Sequence, residues 1–181
     1  ATGLRRTELM GSATGVFLGI AGFDFIEVLK ASPAGRSVYA ATGSSPSIAA
    51  GRLSFVLGLQ GPCVSYDTAC SAALAAGHGA LRAVQLQECE CALLEAVNIM
   101  LTPAVSLAFA VAGMTSVNGR CHTFDSRADG FVRGEACGAA ALQPSTGAVA
   151  PLVVCGSAVR QDGRRASLTA PNGVAQRALL Q

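Results

Sequence analysis

The residue best suited to covalent chemistry is Cys70, in the segment Asp-Thr-Ala-Cys-Ser at positions 67–71. A β-prone run precedes it at Cys63–Thr68, and an alanine-rich run typical of a helix follows it to Leu86. A thiol at a strand-to-helix junction lies at the positive end of the helix dipole, which favours the nucleophilic thiolate. Backbone N–H groups at such a turn can also hold an oxyanion. From the junction alone, a small buried cysteine with a structural role is the competing interpretation.

The other potentially reactive side chains give weaker signals. Six further cysteines lie at positions 63, 89, 91, 121, 137 and 155, with no CxxC pair, and we expect free thiols in a reducing, cytoplasmic compartment. Neither histidine lies at zinc-finger spacing from Cys89 and Cys91, so we expect no metal site. We expect His78 on the helix after Cys70 and His122 in a surface loop, both outside catalysis.

The elements that must position Cys70 alternate between strands and helices. Strands are predicted from short apolar or alternating runs at Thr14–Ile20, Cys63–Thr68, Ala92–Ile99, Cys137–Leu142 and Leu152–Val159. Helices are predicted at Phe23–Lys30, Ser44–Leu57, from Ala69 to Leu86, at Thr102–Ala110 and at the end of Arg160–Gln181. A glycine-rich loop is predicted at Gly113–Glu135. Strands interleaved with helices indicate an α/β domain around a buried sheet.

Composition excludes several functional classes. Of the 181 residues, 51% are hydrophobic and 13% charged, which is enough apolar surface for a sizeable core and too much for a disordered chain. The net charge of +2 comes without a run of Lys or Arg, so nucleic acid and membrane surfaces have no electrostatic support as partners. No apolar stretch reaches the ~20 residues of a membrane helix, and the first residues do not have the pattern of a signal peptide.

Six segments of the chain, in order, resemble the β-ketoacyl synthase (ketosynthase) domains of type I polyketide synthases. They are TGVFLGI, ATGSSPSIAAGRLSFVLGLQGP, VSYDTACSAALAA, VNIMLTP, AGMTSVNGRCHTFDSRADGFVRGEACG and GSAVRQDGRRASLTAPNGVAQ. The resemblance covers nearly the whole chain, and DTACS within this series is highly specific. It favours Cys70 as a nucleophile over a structural cysteine.

The resemblance implies a thiolase-like fold, in which two similar α/β halves pack as αβαβα layers. By this resemblance, residues about 1–145 belong to the N-terminal half, and residues about 150–181 belong to the start of the C-terminal half. The implied reaction is acyl transfer to a cysteine, followed by decarboxylative Claisen condensation with a malonyl-type extender, giving a β-ketoacyl thioester in polyketide or fatty-acid synthesis. Acyl carrier protein is the implied partner, its phosphopantetheine carries the substrates, and the domain itself binds no cofactor. A homodimer is also implied, joined through the strand at Cys63–Thr68.

Residue by residue, the resemblance assigns the nucleophile to Cys70 and one oxyanion donor to its N–H group. It assigns the acyl pocket to Phe109 and Phe131, for which ordinary core packing is the competing interpretation. Four charged residues near Phe131 in the sequence are expected to hold a loop by ion pairs and turn hydrogen bonds rather than to take part in the reaction. They are Asp125, Asp129, Arg133 and Glu135.

The family uses two histidines, in segments of EAHGTGT and GHxEAAAG type, to bind and decarboxylate the extender. The 181 residues contain neither segment, so we expect this chain alone to be incompetent for condensation. Glu95-Ala96 stand where the family usually has Gly-Gly, which predicts altered local packing. A non-condensing domain that only dimerises or docks a carrier protein is the alternative, and the intact DTACS disfavours it. Thiolase-like or chalcone-synthase-like chemistry is disfavoured by the DGFVRGE and LTAPNG segments.

Overall fold

A four-stranded sheet forms the centre of the protein. The computed structural model describes residues 5–22, 24–145, 152–165, 167 and 170–181. Its strands are β1 (Thr14–Ile20), β2 (Cys63–Tyr66), β3 (Cys91–Asn98) and β4 (Ala136–Leu142), in the order β2-β1-β3-β4. β1 pairs in parallel with β2 and β3, whereas β4 runs antiparallel to β3. The first four predicted strands are therefore confirmed, with ends that differ by up to two residues.

Seven α-helices accompany the sheet in the described residues: α1 (Arg6–Leu9), α2 (Asp24–Lys30), α3 (Ala40–Ser44), α4 (Pro46–Leu57), α5 (Ala72–Gln85), α6 (Ala104–Val111) and α7 (Gly173–Leu179). The single helix predicted at Ser44–Leu57 is α4, and α3 ends directly before it. Ser45 separates the two because its backbone is extended, as residues before proline tend to be. α4 ends at Gly58, whose φ of 70° suits glycine at the end of a helix.

The two longest helices cover opposite faces of the sheet. α5 packs on β1 and β3, and α4 packs on β1 and β2. Successive β1 side chains point to opposite faces of the sheet. Phe17 therefore packs against α5, whereas Val16 and Leu18 pack against α4. The face of α5 towards the sheet consists of buried alanines at 72, 76, 80 and 83. These small side chains let α5 lie close to the strands, and they set the distance between its first turn and the sheet.

Glu95 lies inside β3, between Leu18 of β1 and Ala139 of β4. The strand pairing continues on both sides of it. Burial raises the pKa of its carboxyl above the usual range. The buried Glu95 carboxyl therefore does not interrupt the pairing of β3 with β1 and β4.

The predicted strand at Leu152–Val159 is wrong. Residues 152–160 have no regular secondary structure, and Leu152, Val153 and Val154 are exposed. An apolar run becomes a strand only where a neighbouring strand offers its hydrogen-bonding edge, and within the described residues none lies beside this segment. The predicted loop and helix at Arg160–Gln181 are confirmed by α7, whose first N–H groups are capped by the Asn172 side chain. Phe23 lies outside the described residues.

In the part of the chain that the structure describes, no helix has the length and apolar character needed to cross a membrane.

Candidate active site

Cys70 lies at the carboxyl end of β2, in a short 3-10 turn formed by Ala69–Ser71. α5 begins at the next residue, Ala72. The carboxyl ends of parallel strands, beside the first turns of the following helices, are the usual ligand-binding edge of such sheets. The thiol is exposed. The predicted strand–Cys70–helix junction is therefore present, and its thiol is open to a substrate.

The backbone before Cys70 is sharply bent. Ala69 has a φ of 54°, a left-handed conformation that alanine rarely adopts. The carboxylate of Asp67 accepts the N–H of Ala69 at 3.0 Å, and the hydroxyl of Ser71 donates to the carbonyl of Thr68 at 2.9 Å. Ser71 also donates its backbone N–H to that carbonyl at 3.3 Å. These bonds hold the turn without using the N–H of Cys70.

Gly19 of β1 lies directly beneath the first turn of α5. A Cβ atom at this position would lie 2.6 Å from the backbone nitrogen of Ala73 and 2.7 Å from the carbonyl carbon of Ala72. Both are backbone atoms, which cannot swing away as the end of a flexible side chain can. Glycine is therefore required where β1 passes the helix that carries Cys70. Its place near the end of TGVFLGI was the only sequence signal.

We expect Gly19→Ala to lower the free energy of unfolding by about 1–3 kcal/mol, the usual cost of overpacking. It should also slow the reaction of Cys70 with iodoacetamide, because the first turn of α5 must move. Urea unfolding and peptide mapping measure the two effects. Gly51→Ala on α4 is the matched control, since nothing lies within 4 Å of its added Cβ and alanine favours a helix. Equal stability of the two variants would contradict the packing argument.

The structure brings Phe109 and Phe131 together. Their ring centroids lie 5.9 Å apart in an edge-on arrangement with an interplanar angle of 64°, a geometry that aromatic pairs favour. Met114 links their backbones, because its N–H donates to the carbonyl of Phe109 at 2.9 Å and its carbonyl accepts the N–H of Phe131 at 3.1 Å. Gly130 permits this approach, since a Cβ there would lie 2.5 Å from the backbone nitrogen of Ser116. Phe109 and Phe131, 22 positions apart in the sequence, thus form one aromatic pair.

Asp125, Asp129, Arg133 and Glu135 each bind a neighbouring part of the chain, as expected for residues that hold a loop. Arg127 forms an ion pair with Asp125 at 2.7 Å and lowers the pKa of that carboxyl. Asp129 accepts a hydrogen bond of 2.8 Å from the side-chain amide of Asn118, and the neighbouring Ser116 and Asn118 side chains lower the pKa of its carboxyl. Glu135 accepts the N–H of Met100 at 2.7 Å, and Arg133 donates to Ser106 at 2.7 Å.

Asp24 is a buried carboxylate that the sequence alone did not single out. It accepts the N–H groups of Leu101 and Thr102, at 3.0 and 3.3 Å, and so fixes the loop that leads into α6. Only its position at the start of a predicted helix could have indicated a role.

Neither histidine is part of the turn that carries Cys70. His78 lies eight residues further along, about 12 Å along the helix axis. Its Nδ1 is hydrogen-bonded to the hydroxyl of Ser157, which ties α5 to the segment at 152–165. The Nδ1 of His122 lies 4.0 Å from the carboxylate of Asp125 in the loop.

The cysteines differ in their surroundings. Cys89 is buried and Cys91 half-buried, and burial raises the pKa of both thiols. Cys121 is exposed but its sulfur accepts the N–H of Val132 at 3.0 Å. Among the described residues, no group of three or more His, Cys, Asp and Glu side chains is arranged as a metal site.

Comparisons with known proteins all point to one family. Residues 1–148 match the model of the "Beta-ketoacyl synthase, N-terminal domain". The chain is 44% identical over 179 residues to a phenolphthiocerol/phthiocerol polyketide synthase protein of Mycobacterium tuberculosis, in a match that covers 96% of this chain. It is 42% identical over 185 residues to a second component of the same synthase, in a match that covers 98% of this chain.

The structural comparison agrees. The ketosynthase from module 6 of the bacillaene synthase of Bacillus subtilis matches 97% of this chain with a TM-score of 0.83 and 34% identity. An oxazolomycin ketosynthase domain of Streptomyces albus matches 78% with a TM-score of 0.66 and 33% identity. The chain spans only 12% and 8% of the two curated relatives, and 30% and 25% of the two solved chains.

Proposed function

Since this chain belongs to the β-ketoacyl synthase family and matches its N-terminal domain, we propose that Cys70 accepts an acyl group from a thioester. The observation that carries the proposal is the exposed thiol of Cys70 at the sharp turn between β2 and α5. The N-terminus of a helix stabilises both a thiolate and the oxyanion that forms when the thiolate attacks a carbonyl. The partial positive charge of α5 therefore supports both stages of acyl transfer.

In the first step, the Cys70 thiolate attacks the carbonyl carbon of an acyl thioester. The tetrahedral oxyanion accepts a hydrogen bond from the N–H of Cys70, and its collapse expels the carrier's thiolate. The product is an acyl-Cys70 thioester, which remains reactive towards a carbon nucleophile. We assign the walls that receive the acyl chain to Phe109 and Phe131.

In the second step, a malonyl-type extender on the phosphopantetheine of an acyl carrier protein loses CO2. The electron pair of the broken C–C bond forms an enolate, whose carbon attacks the acyl-Cys70 carbonyl. Cys70 leaves as a thiolate, and the carrier holds a β-ketoacyl thioester. The names of the relatives favour polyketide synthesis as the pathway. We assign the stabilisation of the enolate to histidines other than His78 and His122.

An intact nucleophile favours condensation over a role restricted to docking. A domain that only dimerises or binds a carrier protein has no need of an exposed thiol beside a strained alanine. The left-handed conformation of Ala69 costs free energy, and such strain is typical of functional turns.

We also propose that the protein is a homodimer joined through β2. This strand lies at one edge of the sheet, and its outer side faces no other strand within the described residues. An exposed strand edge is a template for pairing, and a second copy related by two-fold symmetry offers the same edge.

The test of the proposed nucleophile is the order in which the thiols react. We expect iodoacetamide to alkylate Cys70 first and Cys89 last, because Cys70 is exposed at the turn before α5, whereas Cys89 is buried and burial raises the pKa of its thiol. Limited alkylation followed by peptide mapping measures the order. Cys155 is the control, since it is also exposed but lies in a segment without regular structure. If Cys155 or Cys121 reacts first and Cys70 stays unmodified, the assignment is wrong.

A further inference from the structure

Arg133 contacts α6 at two points. Its guanidinium carbon lies 5.6 Å from the centroid of the Phe109 ring, within the range of a cation–π interaction. Its Nη1 donates a hydrogen bond of 2.7 Å to the hydroxyl of Ser106, in a partly buried position. Ser106 and Phe109 are three residues apart on α6 and therefore share one face of the helix. One side chain thus holds both the ring and the helix surface from which the ring projects.

The same stretch of chain supplies the second aromatic ring. Phe131 and Arg133 are two residues apart in the non-helical segment that leads into β4. Alternate residues of extended backbone project to the same side, and both side chains contact Phe109. The carbonyl of Phe131 accepts the N–H of Ser116 at 3.0 Å, which fixes this segment to the loop after α6. The Phe109 ring is therefore confined by the Phe131 ring and by the Arg133 guanidinium.

We propose that Arg133 is a positioning residue that sets acyl-chain selectivity by fixing Phe109 against Phe131. The inference rests on the proposed function, in which these two rings receive the acyl chain. Arg133 itself need not touch the acyl group. When the guanidinium is removed, the Phe109 side chain regains rotamer freedom, and the wall that it forms loses its fixed shape. Long acyl chains depend on that wall more than short ones do.

The experiment compares acyl transfer to Cys70 from octanoyl and acetyl N-acetylcysteamine thioesters, in the full-length protein that carries this sequence. In Arg133→Met we expect the ratio of kcat/KM for octanoyl to kcat/KM for acetyl to fall about tenfold, through a higher KM for octanoyl. Arg133→Lys keeps a cation near the ring and should return the ratio to within about threefold of the parent. Ser106→Ala removes only the hydrogen bond and should lower the ratio about threefold.

The matched control is Arg127→Met, in the same loop, whose guanidinium is paired with Asp125; the ratio should not change. A purely structural role for Arg133 predicts a different pattern. Loss of folded protein would lower kcat equally for both thioesters and leave KM unchanged. That pattern, or an unchanged ratio in Arg133→Met, overturns the inference while leaving acyl transfer at Cys70 intact. If the parent protein takes no acyl group at Cys70, the proposed function fails and the inference fails with it.

Discussion

Replacement of Cys70 by serine is expected to reduce self-acylation by a factor on the order of 10³ or more. A serine hydroxyl has no anionic form near neutral pH, and neither histidine of the chain lies at this turn to act as a general base. The helix N-terminus would still polarise the substrate carbonyl, but it would have no nucleophile to serve. Because serine differs from cysteine by one atom, the turn at Ala69–Ser71 should keep its shape. The loss would therefore report chemistry rather than folding.

Mass spectrometry of the intact protein after incubation with an acyl thioester measures this effect. Cys121→Ser is the matched control, because Cys121 is also exposed and lies in the loop rather than at a helix N-terminus. The control should take up one acyl group at the parental rate. Parental acylation of Cys70→Ser, with loss of acylation in Cys121→Ser, would move the nucleophile to the loop.

The sheet could be predicted in part, because a strand buried inside a sheet leaves a recognisable pattern in the sequence. The bounds of β1 are those predicted, Thr14–Ile20, since a strand buried on both faces is a continuous apolar run with glycine near its ends. The order of the strands and the antiparallel direction of β4 could not be predicted, because both depend on long-range pairing. The segment Leu152–Val159 shows the same limit, since its composition favours a strand but does not reveal whether a partner strand lies beside it.

The family and its thiolase-like fold are confirmed by the family model and by the solved ketosynthases. The ordered series of motifs carried that prediction, and the alternation of predicted strands and helices alone would have indicated only an α/β domain. Cys70 stood out because its signal is local: a thiol between a strand pattern and a helix pattern. Gly19 did not stand out, and Arg133 was expected only to hold a loop, because their contacts with the α5 backbone and the Phe109 ring join parts of the chain that are distant in sequence.

The 181-residue chain on its own is expected to form no β-ketoacyl product from an acyl thioester and malonyl carrier protein. Acyl transfer needs a thiolate and an oxyanion donor, and both are proposed to lie at the turn of Cys70. Decarboxylation also needs donors that stabilise the charge on the extender carbonyl. His78 lies about 12 Å along the axis of α5 from Cys70 and is bonded to Ser157, and His122 lies beside Asp125 in the loop, so we assign neither histidine to this role.

The expected loss in the rate of condensation is large. Each missing donor typically costs a factor of about 10²–10³ in rate, so two independent donors together account for about 10⁴–10⁶. Product detection by mass spectrometry should run beside measurement of acyl-Cys70, with Cys70→Ser as the background and a complete ketosynthase domain as the positive control. Slow acylation of Cys70 without product is the expected result, because it separates the nucleophile from the groups that act on the extender. Condensation at a rate close to that of the complete domain would show that residues of this chain already supply those groups, with His78 and His122 as the first candidates.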